Sequence, residues 1–257
     1  MANAKRRRLE STVAAIQQRY GVRALRVARD LPKVSLPATI ATGFADLDAM
    51  TGCRGVPLGA ITLLTGPSTS GKLTVAYKTL AAAQQNGRHP VALIDLTHST
   101  DPDYLARCGV DLEHLLLVRP GPETPIDTLV LDLVRSRHLR LLFVDSLADL
   151  PPHMVARWAQ GLDGLALVLR EENCALLCVD EPAPPWRRWL NLDPGVPLRR
   201  RAALHLEMQR ERWLIQDGDL VGYQAQARLR YSRWRPGHAT APVSIHFNGT
   251  VKAAVSW

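Results

Sequence analysis

The run Ile61-Thr62-Leu63-Leu64-Thr65-Gly66-Pro67-Ser68-Thr69-Ser70-Gly71-Lys72-Leu73-Thr74 constrains this chain more than any other stretch. An apolar, β-rich segment leads into Gly-x-x-x-x-Gly-Lys, and a helical pattern through Val75, Ala76 and Leu80 to Ala83 follows at once. That is the strand–loop–helix context a phosphate-binding loop requires, and it separates this run from an ordinary Gly-rich turn. Gly66 and Gly71 allow close backbone approach, so that successive N–H groups turn toward an anion at a helix N-terminus. Lys72 adds a point charge for β- and γ-phosphates. The expected nucleotide-binding set is therefore Gly66, Pro67, Ser68, Thr69, Ser70, Gly71, Lys72, Leu73 and Thr74. Position 73, however, carries Leu where a hydroxyl normally ligates Mg²⁺, and a helical step of about 100° turns Thr74 elsewhere. The loop is expected to hold ATP or ADP, with an impaired Mg²⁺ site.

Beyond the loop the pattern alternates as an α/β protein with a mainly parallel central sheet does. Strands are expected at Val91–Asp95, Leu115–Val118, Leu141–Asp145 and Ala175–Val179, with helices over Asp103–Cys108, Ile126–Arg137 and His153–Glu171. Asp145 closes a fully apolar strand, the position from which a carboxylate orients Mg²⁺ through water beside a phosphate loop. At the C-terminal end, residues 205–209, 213–216, 225–231 and 243–247 read as antiparallel strands, and Asp217-Gly218 is a hairpin turn candidate. Leu9, Val13, Ile16 and Tyr20 recur at helical spacing, giving an N-terminal helix over 9–20 that needs a partner for its stripe. The expected division is a basic helix and linker, 1–37, for oligomerisation or partner contact, and a nucleotide-binding core, 38–257.

Charge is unevenly spread. Residues 1–29 hold eight Lys/Arg against one Glu and residues 183–257 hold twelve against five, whereas 30–182 hold twelve against eighteen acids. Basic ends on an acidic middle suit polyanion contact, or association of ends with middles. No apolar run reaches the roughly 20 residues of a membrane span, so no membrane partner is expected and the expected compartment is the cytoplasm. Cys53, Cys108, Cys174 and Cys178 lack Cys-x-x-Cys pairing and read as buried thiols.

With these residues in view the chain resembles the bacterial RecA family of recombinases. The likeness runs through Ala41-Thr42-Gly43, the phosphate loop, Ala81-Ala82-Ala83-Gln84, Ile94-Asp95, His98, Asp101-Pro102, Tyr104, Gly109-Val110-Asp111 and Val144-Asp145-Ser146. It implies a RecA-like core, adenine nucleotide binding, single-stranded DNA binding, filament-type assembly, and a place in DNA repair, recombination and the SOS response to damage. It also implies that Asp101 and Tyr104 contact adenine. The family's general-base glutamate is Thr97 here, and the Asn-Gln pair beside the γ-phosphate is Asp180-Glu181. With Leu73, three hydrolytic positions depart from the family, and Glu181 is left as a candidate displaced base. The family's first DNA loop is missing between Asp145 and Ala175. The second corresponds to about 183–201, read as a loop carrying Trp186, Arg187, Arg188, Trp189, Arg199, Arg200 and Arg201. Indoles stack on bases and arginines track phosphates, a pairing that suits single strands. Arg233 and Arg235 align with cations that reach a neighbour's nucleotide.

Three readings follow. The chain is a nucleotide- and DNA-binding accessory or regulator with weak or absent hydrolysis, an active DNA-dependent ATPase recombinase, or a nucleotide-independent module docking on a RecA-type protein or a repair polymerase.

Overall fold

The computed structural model describes residues 2–20, 35–85, 89–136, 138–182, 184, 186, 189, 190, 193 and 195–247. Two compact units, Met1–Leu36 and Pro37–Trp257, divide the chain. In the first, helix α1 spans Ala2–Tyr20 and so starts seven residues before the expected 9–20. Ala and Arg in the added turns are strong helix formers. Along it Ser11 and Thr12 both donate their hydroxyls to the carbonyl of Arg8.

The second unit is built on eight strands: β3 (Ile61–Thr65), β4 (Val91–Asp95), β5 (Leu115–Val118), β6 (Leu141–Asp145), β7 (Ala175–Asp180), β8 (Leu204–Gln216), β9 (Asp219–Ser232) and β10 (Ala239–His246). Their order is β10-β9-β8-β3-β7-β6-β4-β5, while β1 (Thr39–Ile40) and β2 (Val56–Pro57) form a separate antiparallel pair. β3 pairs in parallel with both β7 and β8, so the strand feeding the phosphate loop sits mid-sheet, and the antiparallel pairs are β8–β9 and β9–β10. The two expected strands 205–209 and 213–216 are one continuous strand, β8, which carries register irregularities at Arg210/Arg212 and Leu214/Ile215. Its first residues, Leu204 to Glu207, lie parallel to β3 rather than antiparallel to every neighbour. Asp217 and Gly218 both take positive φ, 52° and 87°, the geometry of a tight two-residue hairpin.

Strict alternation on the parallel strands makes two cores. Leu64, Leu93, Phe143 and Leu177 face one side, against α3 (Lys72–Gln85), α2 (Ala45–Met50) and α4 (Pro102–Arg107). Leu63, Ile94, Val144 and Cys178 face the other, against α5 (Ile126–Arg135), α6 (Pro152–Glu171) and α7 (Gly195–Arg201). Helices on both faces explain why these strands read as continuous apolar runs. Trp158 of α6 is fully buried in the second core.

Helix α7 corrects the expectation of an irregular loop through residue 201. Asp193 accepts from the backbone N–H of Gly195 at 2.9 Å, and Pro197 lies in the first turn, two start signals for a helix. Seven residues carrying one buried Leu, Leu198, are too few to show a helical period.

Candidate nucleotide site

β3 ends at Thr65 and α3 begins at Lys72, so residues 66–71 form the loop at the sheet's C-terminal edge. Its glycines are required by space. A Cβ at Gly66 would stand 2.3 Å from the Met208 carbonyl oxygen and 2.8 Å from Ser70 Oγ; at Gly71, where φ is 88°, it would meet Ile245 Cδ1 at 2.6 Å. The loop thus lies close against β8 and β10. Ser70 Oγ is buried and has no hydrogen-bond partner among the described residues, a donor left over inside the cradle. A buried hydroxyl without an acceptor costs about 1–3 kcal/mol, and a phosphate oxygen would satisfy it. The residues present therefore fit a phosphate group.

Lys72 is 4% exposed and its Nζ donates to Glu181 Oε1 at 2.7 Å and to the Pro67 carbonyl at 3.1 Å. Ser68 Oγ donates to the same carboxylate oxygen at 2.9 Å. Glu181 follows β7, the strand beside β3, so adjacent strand ends bring the two charges together. Burial opposes ionisation of this carboxyl, but the bonds from Lys72 and Ser68 outweigh it and hold its pKa below the ordinary value. A group so held is a poor proton acceptor, which weakens the reading of Glu181 as a displaced base.

The donor set for a metal is incomplete. Leu73 packs against the first core. The Thr74 hydroxyl is 2.6 Å from the Tyr104 hydroxyl. Asp145 is buried at the end of β6, two strands from β3, with β7 between them. Among the described residues no group of three His, Cys, Asp or Glu side chains is arranged to hold a metal ion. These residues do not fit a tightly held Mg²⁺.

The two expected adenine contacts share one element. Asp101 caps α4 by accepting from Asp103 N at 2.9 Å, and Tyr104 lies one turn on, edge-on to Tyr77 at 5.8 Å between ring centroids. Burial pushes the Tyr104 phenol up to about 12, so its hydroxyl is neutral across the physiological range.

Where the family's base would stand, Thr97 Oγ1 donates to Asp95 Oδ1 at 3.1 Å and lies 2.5 Å from Ser99 Oγ. Asp95 also accepts from Arg119 Nε and from the backbone of Ser99 and Thr100. Burial works against its charge, yet these bonds hold its pKa below the ordinary value. Its carboxylate is therefore committed to the loop that follows β4 and to Arg119 just after β5.

The expected DNA-binding residues separate in the structure. Trp186 and Trp189 are exposed, the latter at 83%. Arg187 and Arg188 lie outside the described residues. Arg199 is drawn inward, its Nη2 2.6 Å from Asp193 and its Nη1 3.5 Å from Asp180, and Arg201 grips Asp163 of α6 through two bonds. Arg200 is exposed. Of the three helix arginines, Arg200 alone faces solvent with no carboxylate partner among the described residues, so the candidate cation set narrows. Arg233 and Arg235 follow β9, whose last residue, Ser232, pairs with Leu204, which in turn pairs with Thr62. They therefore emerge at the sheet end opposite the phosphate loop, out of reach of their own Lys72.

Three side chains near the loop escaped the sequence reading. Arg210 approaches Thr69 Oγ1 at 3.5 Å and lies over the Trp213 ring at 4.4 Å; Trp213 contacts Tyr223 edge-on; and a Cβ at Gly71 would stand 3.3 Å from the Tyr223 hydroxyl. All three come from the β8–β9 hairpin, and only the length of β8 past the loop brings them there.

Compared with known proteins, residues 7–161 match the family described as the RecA N-terminal domain. The chain is 36% identical to Protein RecA of Thermotoga neapolitana over 95% of its own length and 75% of the relative's. It is 28% identical to Protein RecA of Thermus thermophilus, over 96% and 78% of the two chains, and 28% identical to that of Brucella anthropi, over 96% and 73%.

Proposed function

Because this chain belongs to the RecA family of recombination and repair proteins, we propose that it binds adenine nucleotide and single-stranded DNA while hydrolysing ATP weakly or not at all, serving as an accessory or regulator. The observation that carries this reading is the state of the two charged groups at the loop. The phosphate-binding lysine is present and buried, but its ammonium is joined to Glu181, and a hydroxyl, Thr97, occupies the base position. Loss of a general base alone removes about 10²–10⁴ in rate, and a poor metal site compounds it. The unpartnered Ser70 hydroxyl supports retained phosphate binding.

In this reading Gly66 to Thr74 hold the phosphates, Asp101 and Tyr104 meet the base, and Trp186, Trp189 and Arg200 meet single-stranded DNA. Arg233 and Arg235 serve a neighbouring copy or a RecA-type protein, and the basic N-terminal helix serves self-association or a partner such as a repair polymerase. Assembly through opposite sheet ends suits a protein whose nucleotide joins subunits instead of fuelling them.

Phosphate release from ATP, measured with and without single-stranded DNA, tests the hydrolytic half. Turnover close to background in both conditions is expected. Robust DNA-stimulated turnover abolished by Lys72→Ala overturns it. Anisotropy of labelled single-stranded DNA, titrated across salt, tests the other half. A steep loss of affinity with rising salt supports phosphate contact, and absence of binding at low salt refutes it.

A further inference from the structure

The contacts of Lys72 and Glu181 point to a specific ligand. An ammonium has three donors. Two are in use within the chain, one on the Pro67 carbonyl at 3.1 Å and one on Glu181 Oε1 at 2.7 Å. In a phosphate loop the backbone N–H groups cradle the inner phosphates, and the lysine reaches the β- and γ-phosphates. One free donor suffices for a β-phosphate. A terminal γ-phosphate needs the donor that Glu181 holds. It would also bring its own negative charge against a carboxylate that already carries one.

Three further features act in the same direction. Ser68 Oγ, on the loop itself, donates to the same Glu181 oxygen at 2.9 Å, so two loop residues fix the carboxylate in place. The bonds from Lys72 and Ser68 hold Glu181 ionised against its partial burial, so it is an anion at neutral pH. Leu73 supplies no hydroxyl for a metal that would bridge β- and γ-oxygens and offset the crowded charge. Meanwhile the Ser70 hydroxyl, buried and without an acceptor, leaves the inner part of the cradle ready for a phosphate oxygen.

We propose that Glu181 stands in for a terminal phosphate at Lys72, making the loop selective for a nucleoside diphosphate over the corresponding triphosphate. The inference rests on the nucleotide-binding reading above and adds the identity of the ligand and the residue that sets it. Glu181 is then a specificity-determining residue, and the loop in its resting state carries its own charge complement.

Calorimetric titration of the full chain with ADP and with a non-hydrolysable ATP analogue, for wild type, Glu181→Gln and Lys72→Ala, tests this. Wild type is expected to bind ADP at least about tenfold more tightly than the triphosphate, a gap of the size that one unfavourable charge contact produces. Glu181→Gln keeps the shape, removes the charge, and is expected to raise triphosphate affinity by about tenfold while changing ADP affinity little. Glu181→Ala should behave alike, which guards against a new contact made by the glutamine. Equal affinities in wild type, or a preference that survives in both Glu181 variants, overturns the selectivity while leaving nucleotide binding intact. Binding of neither nucleotide by wild type, or binding unaffected by Lys72→Ala, overturns the underlying reading and the inference with it.

Discussion

Arg199 Nη2 lies 2.6 Å from Asp193 Oδ2, and that carboxylate is 2% exposed. Through its other nitrogen the same guanidinium reaches Asp180, 1% exposed, at 3.5 Å. One cation thus compensates two buried acids at the start of α7, immediately behind the residue that engages Lys72. The arrangement is tight, because a Cβ at Gly195 would fall 2.0 Å from Asp180 Oδ2.

Removing the cation should leave Asp193 buried without its ion-pair partner and push the already raised Asp180 carboxyl further toward its protonated form. Arg199→Leu is expected to lower stability by about 3–5 kcal/mol at neutral pH, read as a fall in the urea midpoint with little change in slope. Asp193→Asn combined with Arg199→Leu should recover part of that loss. If Arg199→Leu unfolds at the wild-type midpoint, the buried network contributes nothing.

Asp180 gives the stability a pH dependence. Burial, and then the nearby charge of Asp193, push its carboxyl up to about 7 against the pull of Arg199. A folded pKa above the unfolded one means that the native state binds the proton more tightly. This contribution is fully present below about pH 4 and is lost as pH rises through about 7. Asp180→Asn, which cannot ionise, should therefore match wild type near pH 4 and exceed it in melting temperature at pH 8. A variant less stable than wild type at pH 8 would refute the assignment.

His205 acts in the opposite sense. Burial, reinforced by the charge of Arg199, lowers its pKa to about 4, and its ring nitrogen Nε2 sits 2.9 Å from Thr65 Oγ1 at the end of β3. The neutral ring is the native form, so its contribution holds above pH 6.5 and disappears as pH falls through about 4. The stability gap between wild type and His205→Gln should narrow over that interval in denaturant titrations. A gap that widens toward acid would contradict the burial argument.

Two tryptophans separate packing from recognition. Trp158→Ala, in the second core, is expected to cost about 3–5 kcal/mol of stability. Trp189→Ala, on an 83% exposed side chain, should leave the unfolding midpoint unchanged and reduce affinity for single-stranded DNA by about 1–3 kcal/mol. Unaltered DNA affinity in Trp189→Ala would remove that residue from the interface.

The parallel strands and the loop were legible because their signals are local. Leu141 to Asp145 is apolar on both faces, and Gly66 to Lys72 has fixed spacing. Leu73 shows by its residue type alone that no hydroxyl follows Lys72. What stayed hidden depends on distance in sequence. Lys72 and Glu181 meet only because β3 and β7 are neighbours in the sheet, a pairing no single-chain pattern specifies. Arg199 and Arg201 looked like free cations because their acids, Asp193, Asp180 and Asp163, are identified by the fold and not by spacing. Arg210 and Tyr223 reach the loop because β8 continues through a bulge that period-two reading took as a break.

The four cysteines have a practical consequence. Each is buried, Cys174 and Cys178 lie on or just before the central strand β7, and burial pushes the Cys174 thiol up to about 12. None offers a thiolate to a reagent while the sheet is closed. Alkylation therefore clocks the opening of the domain without any added label. Cys53, in the short turn between α2 and β2, would time local loosening, and Cys178, inside β7, global unfolding, so that one chain carries two chemical stopwatches for the order in which its parts come apart.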